Sequence, residues 1–207
     1  MVTVVLGPDG CPARAALRRW HLRRAALSYA GRGWPVVPGA CFTGTRFTCG
    51  LGCQTFSCHP AISDWEEHAM CDAGLVADVW TRRPYSVLLA TGMAFDVLEV
   101  PAYMGVDTAR AVHGPVAVTP LGRWMFLVRP GGSLHPELGP VFGGHHDVIL
   151  HGGGSWIPAP PVRTQHGRVR WVVAPHETDW NLPDPGRVQA TLVAALPRPS
   201  YPMPRTA

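Results

Sequence analysis

Glycine and proline interrupt this chain so often that long regular elements are excluded. The 207 residues include 23 glycines and 22 prolines. Both residue types mark turns, because glycine accepts positive φ and proline fixes φ and lacks an N–H. The chain is also 46% hydrophobic and only 15% charged, which excludes a disordered polymer. We therefore expect one domain over residues 1–196, built from short elements joined by many turns.

Hydrophobic spacing predicts an α+β fold, with an antiparallel or mixed sheet flanked by helices. Residues 12–30 are predicted to form a helix with Ala16, Trp20 and Leu27 on one side and arginines on the other. Residues 63–69 and 73–80 are predicted as two further helical pieces, the first opened by a capping signature, and residues 185–196 as a last helix. Strands are predicted at residues 34–38, 86–90, 94–100, 116–119, 124–128, 147–150 and 169–173. The tail at 197–207 is predicted to be disordered.

The charge pattern permits an anionic partner without requiring one. The net charge is +4, and all 18 basic residues are arginine, whose guanidinium matches two phosphate oxygens at once. A genome that prefers arginine codons would explain the same bias. We find no run of 18 apolar residues and no signal-peptide pattern, so we expect a cytoplasmic protein with no membrane partner. In that compartment cysteines are thiols or metal ligands rather than disulfides.

Residues 39–60 form a Cys- and Gly-rich insertion without periodicity, which resembles a zinc knuckle. Cys49 and Cys53 have the spacing that closes a tight turn around zinc, and Cys41 with either Cys58 or His59 would complete a tetrahedral shell. Adjacent residues 58 and 59 do not readily bind one ion together. We interpret the insertion as a structural zinc site formed by Cys41, Cys49, Cys53 and His59, with Cys58 as the alternative ligand. Unligated thiols and a regulatory disulfide remain as alternatives, and Cys11 and Cys71 are predicted to be ordinary buried thiols.

The order of several short motifs resembles a known family. The motifs are YAGRGWPVVPG (29–39), the insertion ending in HP (59–60), LLATG (88–92), FDVLEVP (95–101), VTPLGR (118–123) and DVILHGGGSWIPAPP (147–161). Together they resemble the bifunctional DNA primase/polymerase N-terminal domain of the archaeo-eukaryotic primase superfamily, in a short stand-alone actinobacterial form. The resemblance implies a primase-polymerase-type fold, template-directed nucleotidyl transfer with two divalent metals, and DNA and nucleoside triphosphates as partners. It also implies nucleotide-binding roles for Thr91, Gly92 and Arg123.

The acidic residues depart from the pattern of that family, which places two metal-binding acids at positions i and i+2 of one strand. Side chains alternate faces along a strand, so acids two apart can share metal ions and acids three apart diverge. Asp96 and Glu99 are three apart, and matching the LEVP segment puts Pro101 at the second acid position. Only a β-bulge would restore a shared face. Asp147 fits the third acid position of the family.

Other positions support the interpretation of a degenerate catalytic site. Trp124 and Met125 stand where the family has a phosphate-binding histidine, although Arg123 could still hold a phosphate. His145 and His146 could rebuild a metal site beside Asp147, or could belong to a polar loop. The segment HGGGS (151–155) lacks the Lys-Ser/Thr ending of a phosphate-binding loop and is interpreted as a turn.

Three functional hypotheses follow from the sequence. The first is a catalytically impaired primase/polymerase-like domain with weak nucleotide or DNA binding and an accessory role in DNA replication. The second is an active nucleotidyltransferase that uses Asp96, Glu99 and Asp147 with Mg²⁺ or Mn²⁺. The third is a zinc-stabilised protein-interaction module in which the old cleft is filled. Loss of a bridging carboxylate and a phosphate contact favours the first, because phosphoryl transfer depends on positioning and charge neutralisation.

Overall fold

The computed structural model describes residues 12–49, 51, 53, 57–139 and 147–196. Cys11, His145, His146 and the predicted disordered tail lie outside the described residues. The α-helices are α1 (Pro12–Ala30), α2 (Ala73–Arg82), α3 (Ala102–Ala111) and α4 (Pro185–Ala194). Short 3-10 helices cover Pro136–Leu138 and Pro175–Thr178. None of the helices in the described ranges is long and apolar enough to cross a membrane.

Antiparallel sheets organise the described strands, and the α+β prediction is confirmed. The strands are β1 (Val36–Gly39), β2 (Cys41–Phe42), β3 (Phe47–Thr48), β4 (Ser86–Ala90), β5 (Asp96–Pro101), β6 (Val116–Val118), β7 (Arg123–Val128), β8 (Ile149–His151), β9 (Trp156–Pro158), β10 (Arg163–Thr164), β11 (Gly167–Arg168) and β12 (Arg170–Val173). A five-stranded sheet has the order β12-β6-β7-β5-β8, and a three-stranded sheet has the order β1-β4-β9. The β2–β3 and β10–β11 pairs form separate two-stranded hairpins.

Strand β5, which lies between β7 and β8, sends its side chains alternately into two hydrophobic cores. Val97 lies in a first core with Met125 and Leu127 of β7, under α1 and α2. Leu98 and Val100 lie in a second core, which α3 and α4 cover. This alternation is what a regular strand imposes. Odd-numbered residues of β5 therefore face the first core, and even-numbered residues face the second.

Helix α1 has the predicted bounds, but its buried face differs from the prediction. Leu22, Ala26 and Tyr29 are buried, whereas Ala16 is exposed and Trp20 is 50% exposed. The first half of the helix has few contacts with the core, so its apolar residues remain in solvent. Spacing along a helix shows which residues share a face, and only the neighbouring elements determine how far along the helix that face is covered.

One helix prediction was wrong, and one helix was missed. Residues 63–68 form turns, and the helix that follows begins at Ala73, where the Oδ1 of Asp72 accepts the N–H of Leu75 at 2.8 Å. The turn segment is mostly exposed, and short helices need an apolar face packed against a core. Helix α3 was not predicted, because Gly105 interrupts its pattern. A Cβ at Gly105 would lie 2.3 Å from the Trp124 ring, so packing requires glycine there despite its low helix propensity.

Candidate active site and cysteine cluster

Glu99 lies on β5 between the neighbouring strands β7 and β8. Its direct cross-strand partners are Met125 and Ile149, so Arg123 and His151 are its diagonal neighbours on the same face. The Nε of Arg123 lies 2.7 Å from one carboxylate oxygen of Glu99, and the Nε2 of His151 lies 2.8 Å from the other. Each oxygen of Glu99 therefore has its own nitrogen donor.

Arg123 also connects Glu99 to Asp147. Its Nη1 lies 2.6 Å from the Oδ2 of Asp147, and its Nη2 donates to the Asp147 carbonyl oxygen at 2.8 Å. Asp147 precedes β8 with a φ of 52°, a left-handed conformation that aspartate tolerates better than most residues. The guanidinium thus lies between two carboxylates that the sequence predicted as metal ligands. The site contains a fixed cation of its own.

The ion pairs determine the charge of Glu99. Burial would raise the pKa of this carboxyl, but hydrogen bonds and positive charge from His151 and Arg123 outweigh burial, and the pKa lies below its usual value. The side chains of Glu99 and Arg123 are each only 18% exposed, so solvent screens this pair less than a surface pair. The Asp147 side chain is 72% exposed, and its contact with Arg123 is correspondingly weaker.

Asp96 lies on the opposite face of β5 from Glu99. Pairing between β5 and β7 is continuous from Asp96 opposite Val128 to Pro101 opposite Arg123, so β5 has no bulge there. The Asp96 carboxylate is buried, and its Oδ2 accepts the N–H of Gly131 at 2.8 Å, while Oδ1 has no partner among the described residues. The two carboxylates do not converge, and the bulged pair of the active-enzyme hypothesis is not formed.

Trp124 and Met125 lie on different faces of β7. Met125 is fully buried in the first core, on the Glu99 side. Trp124 packs against the second core and over Gly105 of α3. Trp124 therefore does not fill a cleft beside Glu99, and that argument for the interaction-module hypothesis does not hold.

Thr91 and Gly92 hold the glycine-rich segment 152–155 in place. The Thr91 hydroxyl donates to the Gly152 carbonyl at 2.6 Å, and the Thr91 N–H donates to the Ser155 carbonyl at 3.0 Å. Gly92 has a φ of 93°, and a Cβ there would lie 2.3 Å from the Cα of Gly153. Both residues therefore have structural contacts in this chain, beside the nucleotide-binding role that the family resemblance implies.

His151 and Ser155 complete the cluster, and sequence reasoning did not identify either as a site residue. The Nδ1 of His151 lies 2.9 Å from the Ser155 hydroxyl. If Nε2–H donates to Glu99, Nδ1 is free to accept the Ser155 proton. The signal available in the sequence was the spacing of two residues between Ile149 and His151, which places both side chains on one face of β8. Ile149 is the residue that pairs with Glu99. That signal becomes useful only once β8 is known to lie beside β5.

This arrangement differs from a two-metal centre in its charge distribution. Two-metal phosphoryl transfer uses carboxylates to hold two cations a few ångströms apart. Here Glu99 and Asp147 already have Arg123 as their cation, and Asp96 faces away. A magnesium ion requires oxygen ligands in near-octahedral geometry, and the guanidinium already occupies the position between the two carboxylates that a shared ion would need.

A second cluster lies in the insertion, where Cys49, Cys53 and His59 come together. Their Sγ and ring nitrogen atoms lie within 4.8 Å of one another. The two Sγ atoms are 2.8 Å apart, and Cys53 Sγ is 2.8 Å from His59 Nε2. Hydrogen bonds with Cys53 and His59 lower the pKa of Cys49 to about 6, which favours the thiolate that zinc binds. Two thiols and an imidazole are a suitable donor set for zinc.

The other cysteines are not part of this group. Cys58 packs among three hydrophobic clusters, and burial raises its pKa to about 12, although a hydrogen bond with Ser86 acts in the opposite direction. Between the adjacent candidates, His59 therefore joins the cluster and Cys58 does not. Cys41 is half-buried, with its pKa raised mainly by burial, and it also lies outside the three-residue group. Cys71 is exposed, so its prediction as a buried thiol was wrong.

Comparison with known proteins assigns the chain to a family. The sequence profile described as bifunctional DNA primase/polymerase, N-terminal, matches residues 26–197. A search of curated proteins found no significant match. The profile match spans most of the chain and includes both clusters, the five-stranded sheet and α4, and it agrees with the family resemblance of the motifs. The chain therefore belongs to the bifunctional DNA primase/polymerase N-terminal family.

Proposed function

We propose that this protein is a catalytically impaired member of the primase/polymerase family that retains weak nucleotide or DNA binding. The observation that carries the proposal is the position of the Arg123 guanidinium, which bonds to Glu99 and Asp147 at 2.7 and 2.6 Å. A fixed monovalent cation neutralises the carboxylates, but it cannot activate a primer hydroxyl or bridge nucleotide phosphates as metal ions do. The protein would then act as an accessory factor in cytoplasmic DNA replication.

The orientation of Asp96 supports the same proposal. A family enzyme needs a second acid on the metal-binding face, and the corresponding position carries Pro101, whose side chain has no ligand atom. The alternative function, active nucleotidyl transfer with Mg²⁺ or Mn²⁺, would require a β-bulge between Asp96 and Glu99 to bring both carboxylates to one face. Such a bulge would turn the residues on one side of it to the opposite face and remove apolar side chains of β5 from the cores in which they are buried.

Primer extension tests the proposal directly. The purified full chain is incubated with a primed template, nucleoside triphosphates, and Mg²⁺ or Mn²⁺. We expect no extension above that of a Glu99→Ala variant, which serves as the matched blank for trace polymerase contamination. Extension by the wild type that Glu99→Ala abolishes would refute impairment and establish the alternative function. Nucleotide binding is measured separately by calorimetry, where we expect dissociation constants above about 100 μM, so the binding free energy should be no more favourable than about −5.5 kcal/mol.

We also propose that Cys49, Cys53 and His59 hold a structural zinc ion, with Cys41 as the candidate for the fourth ligand. The cluster supports this role because its three ligand atoms already converge. The ion would stabilise the insertion in addition to the small hydrophobic cluster around Ala40, Phe42 and Phe47. Zinc content by elemental analysis tests the assignment. We expect about one ion per chain, and less than a tenth of that in a Cys53→Ser/His59→Ala variant.

A further inference from the structure

A basic groove of about 620 Å³ lies beside helix α1, and its lining includes none of the ligand-type residues of the two clusters described above. Four arginines line it, two from α1 and two from the β10–β11 hairpin: Arg14, Arg18, Arg163 and Arg168. We call it the arginine groove. His21 also lines it, and none of its described lining residues is acidic. The groove shares no residue with the Glu99 site.

The two hairpin arginines are direct cross-strand partners. Arg163 pairs with Arg168, and Thr164 pairs with Gly167. Directly opposite residues have Cβ atoms about 5 Å apart, and like charges in that position destabilise a hairpin. Ion pairs between described residues involve Arg82, Arg110, Arg123 and Arg129, so no described carboxylate compensates Arg163 or Arg168. An anion bound between the two would remove this repulsion.

The opposite wall of the groove is held in place by α1. Arg14 and Arg18 are one helical turn apart and lie on the same face. Arg18 is half-buried, and its Nη2 donates to the Phe42 carbonyl of β2. This contact fixes the Arg18 side chain across the groove toward β2. A cation held in a fixed position loses less conformational entropy when it binds a ligand.

The groove also has apolar surface between its arginines. Leu17 is 55% exposed and Pro161 is half-buried, whereas Leu22 and Phe42, which also line the groove, are each only 4% exposed. An inorganic anion has no apolar group to place against such surface, and a DNA duplex keeps its base faces stacked inside the helix. A single strand presents both phosphates and base faces, and proteins that bind it combine cationic and apolar groups in one groove.

We propose that the arginine groove binds the phosphodiester backbone of a single-stranded nucleic acid. Arg163 and Arg168 contact phosphates from one wall, Arg14 and Arg18 contact them from the other, and bases rest against Leu17. This gives the protein a nucleic-acid site that does not depend on the acidic residues of its family. Binding at the groove would persist even though Arg123 neutralises Glu99 and Asp147.

Fluorescence anisotropy of a labelled oligothymidylate, titrated with the full chain at several salt concentrations, tests the proposal. We expect the single strand to bind more tightly than a duplex of equal length. In Arg163→Ala/Arg168→Ala the dissociation constant should rise about tenfold, and the slope of log K against log salt should become shallower by about 1.4, since each single-strand phosphate contact contributes about 0.7. The melting temperature of this variant should equal or exceed that of the wild type, because the cross-strand repulsion is removed.

The matched control is Arg110→Ala/Arg187→Ala, which removes two exposed arginines from α3 and α4. Its affinity should stay within twofold of the wild type. An equal loss in both variants would mean diffuse attraction by net charge and would overturn the proposal. The same holds if only Arg123→Ala weakens binding, or if the wild type binds phosphatidylserine vesicles but not the oligonucleotide. Primer extension and nucleotide calorimetry are read separately, so failure of the groove leaves the proposed catalytic impairment and nucleotide binding untouched.

Discussion

The Glu99 site and the cysteine cluster contain similar numbers of metal-ligand atoms but differ in how those atoms are satisfied. Glu99 and Asp147 lie on or beside regular strands and have Arg123 and His151 as partners. Cys49, Cys53 and His59 lie on an irregular segment and contact mainly one another. Each carboxylate oxygen of Glu99 has a nitrogen partner, whereas the ligand atoms of Cys49, Cys53 and His59 converge on one another. Whether ligand-type residues meet a basic side chain or one another thus depends on the fold and not on their spacing in the sequence.

The largest effect is expected from Gly92→Ala, which tests whether the Glu99 site is rigid. The substitution places a Cβ 2.3 Å from Gly153 at a φ of 93°, so we expect a loss of about 4 kcal/mol in unfolding free energy from strain and overpacking together. Urea denaturation measures it. Gly131→Ala is the matched control, since Gly131 has the same φ and nothing within 4 Å of its Cβ position; it should lose only about 1–2 kcal/mol. Equal losses would show that the contact between residues 92 and 153 contributes nothing.

Zinc should stabilise the cysteine cluster by mass action. At a free zinc concentration of one hundred times the dissociation constant, the unfolding free energy should rise by about 2.7 kcal/mol. Thermal denaturation with buffered zinc and with a chelator measures the difference. Cys71→Ser, which removes an exposed thiol outside the cluster, should retain the zinc effect, whereas Cys53→Ser should lose it. An effect that survives Cys53→Ser would place the ion elsewhere.

Glu99→Gln should remove the ion pairs of Glu99 with Arg123 and His151. It leaves Arg123 without its better-shielded partner, and we expect a loss of about 2 kcal/mol at pH 7. The folded pKa of Glu99 is lowered, so its contribution is fully present above the unfolded pKa of about 4.3 and disappears as the pH falls through the folded value. Urea denaturation of both proteins between pH 7 and pH 3 measures this difference. A gap that stays constant over this range would contradict the ion-pair interpretation.

The smallest effect is expected from Asp147→Asn. Its side chain is 72% exposed, and exposed ion pairs contribute less than about 1 kcal/mol. The variant keeps the Asp147 carbonyl as an acceptor for Arg123. Comparison of the unfolding free energies of Asp147→Asn and Glu99→Gln therefore separates the contribution of the exposed ion pair from that of the more buried one. A loss as large as that of Glu99→Gln would mean that the two contacts with Arg123 are equally important.

Much of the fold could be predicted from local pattern. The bounds of α1 and β4 were correct, and β5 and β7 were within two residues of their predicted bounds, because apolar periodicity and flanking turns specify an element type locally. Helix α3 could not be found this way, since Gly105 is there to accommodate Trp124 from a distant strand. The false helix at 63–69 has a different cause: its capping signature was present, but only Trp65 and Ala69 of this segment pack against a hydrophobic cluster, and most of its other residues are exposed.

The sequence by itself determined that Asp96 and Glu99 face opposite ways, because their spacing is odd and side chains alternate along any regular strand. It also determined the family, through the order of its motifs. Only the tertiary structure decided which groups surround Glu99, since Arg123 and His151 become its neighbours through the strand order β7-β5-β8. The same holds for the choice between Cys58 and His59. Parity is a property of a single strand, whereas the partners of a side chain depend on which distant segments the packing of the core brings next to it.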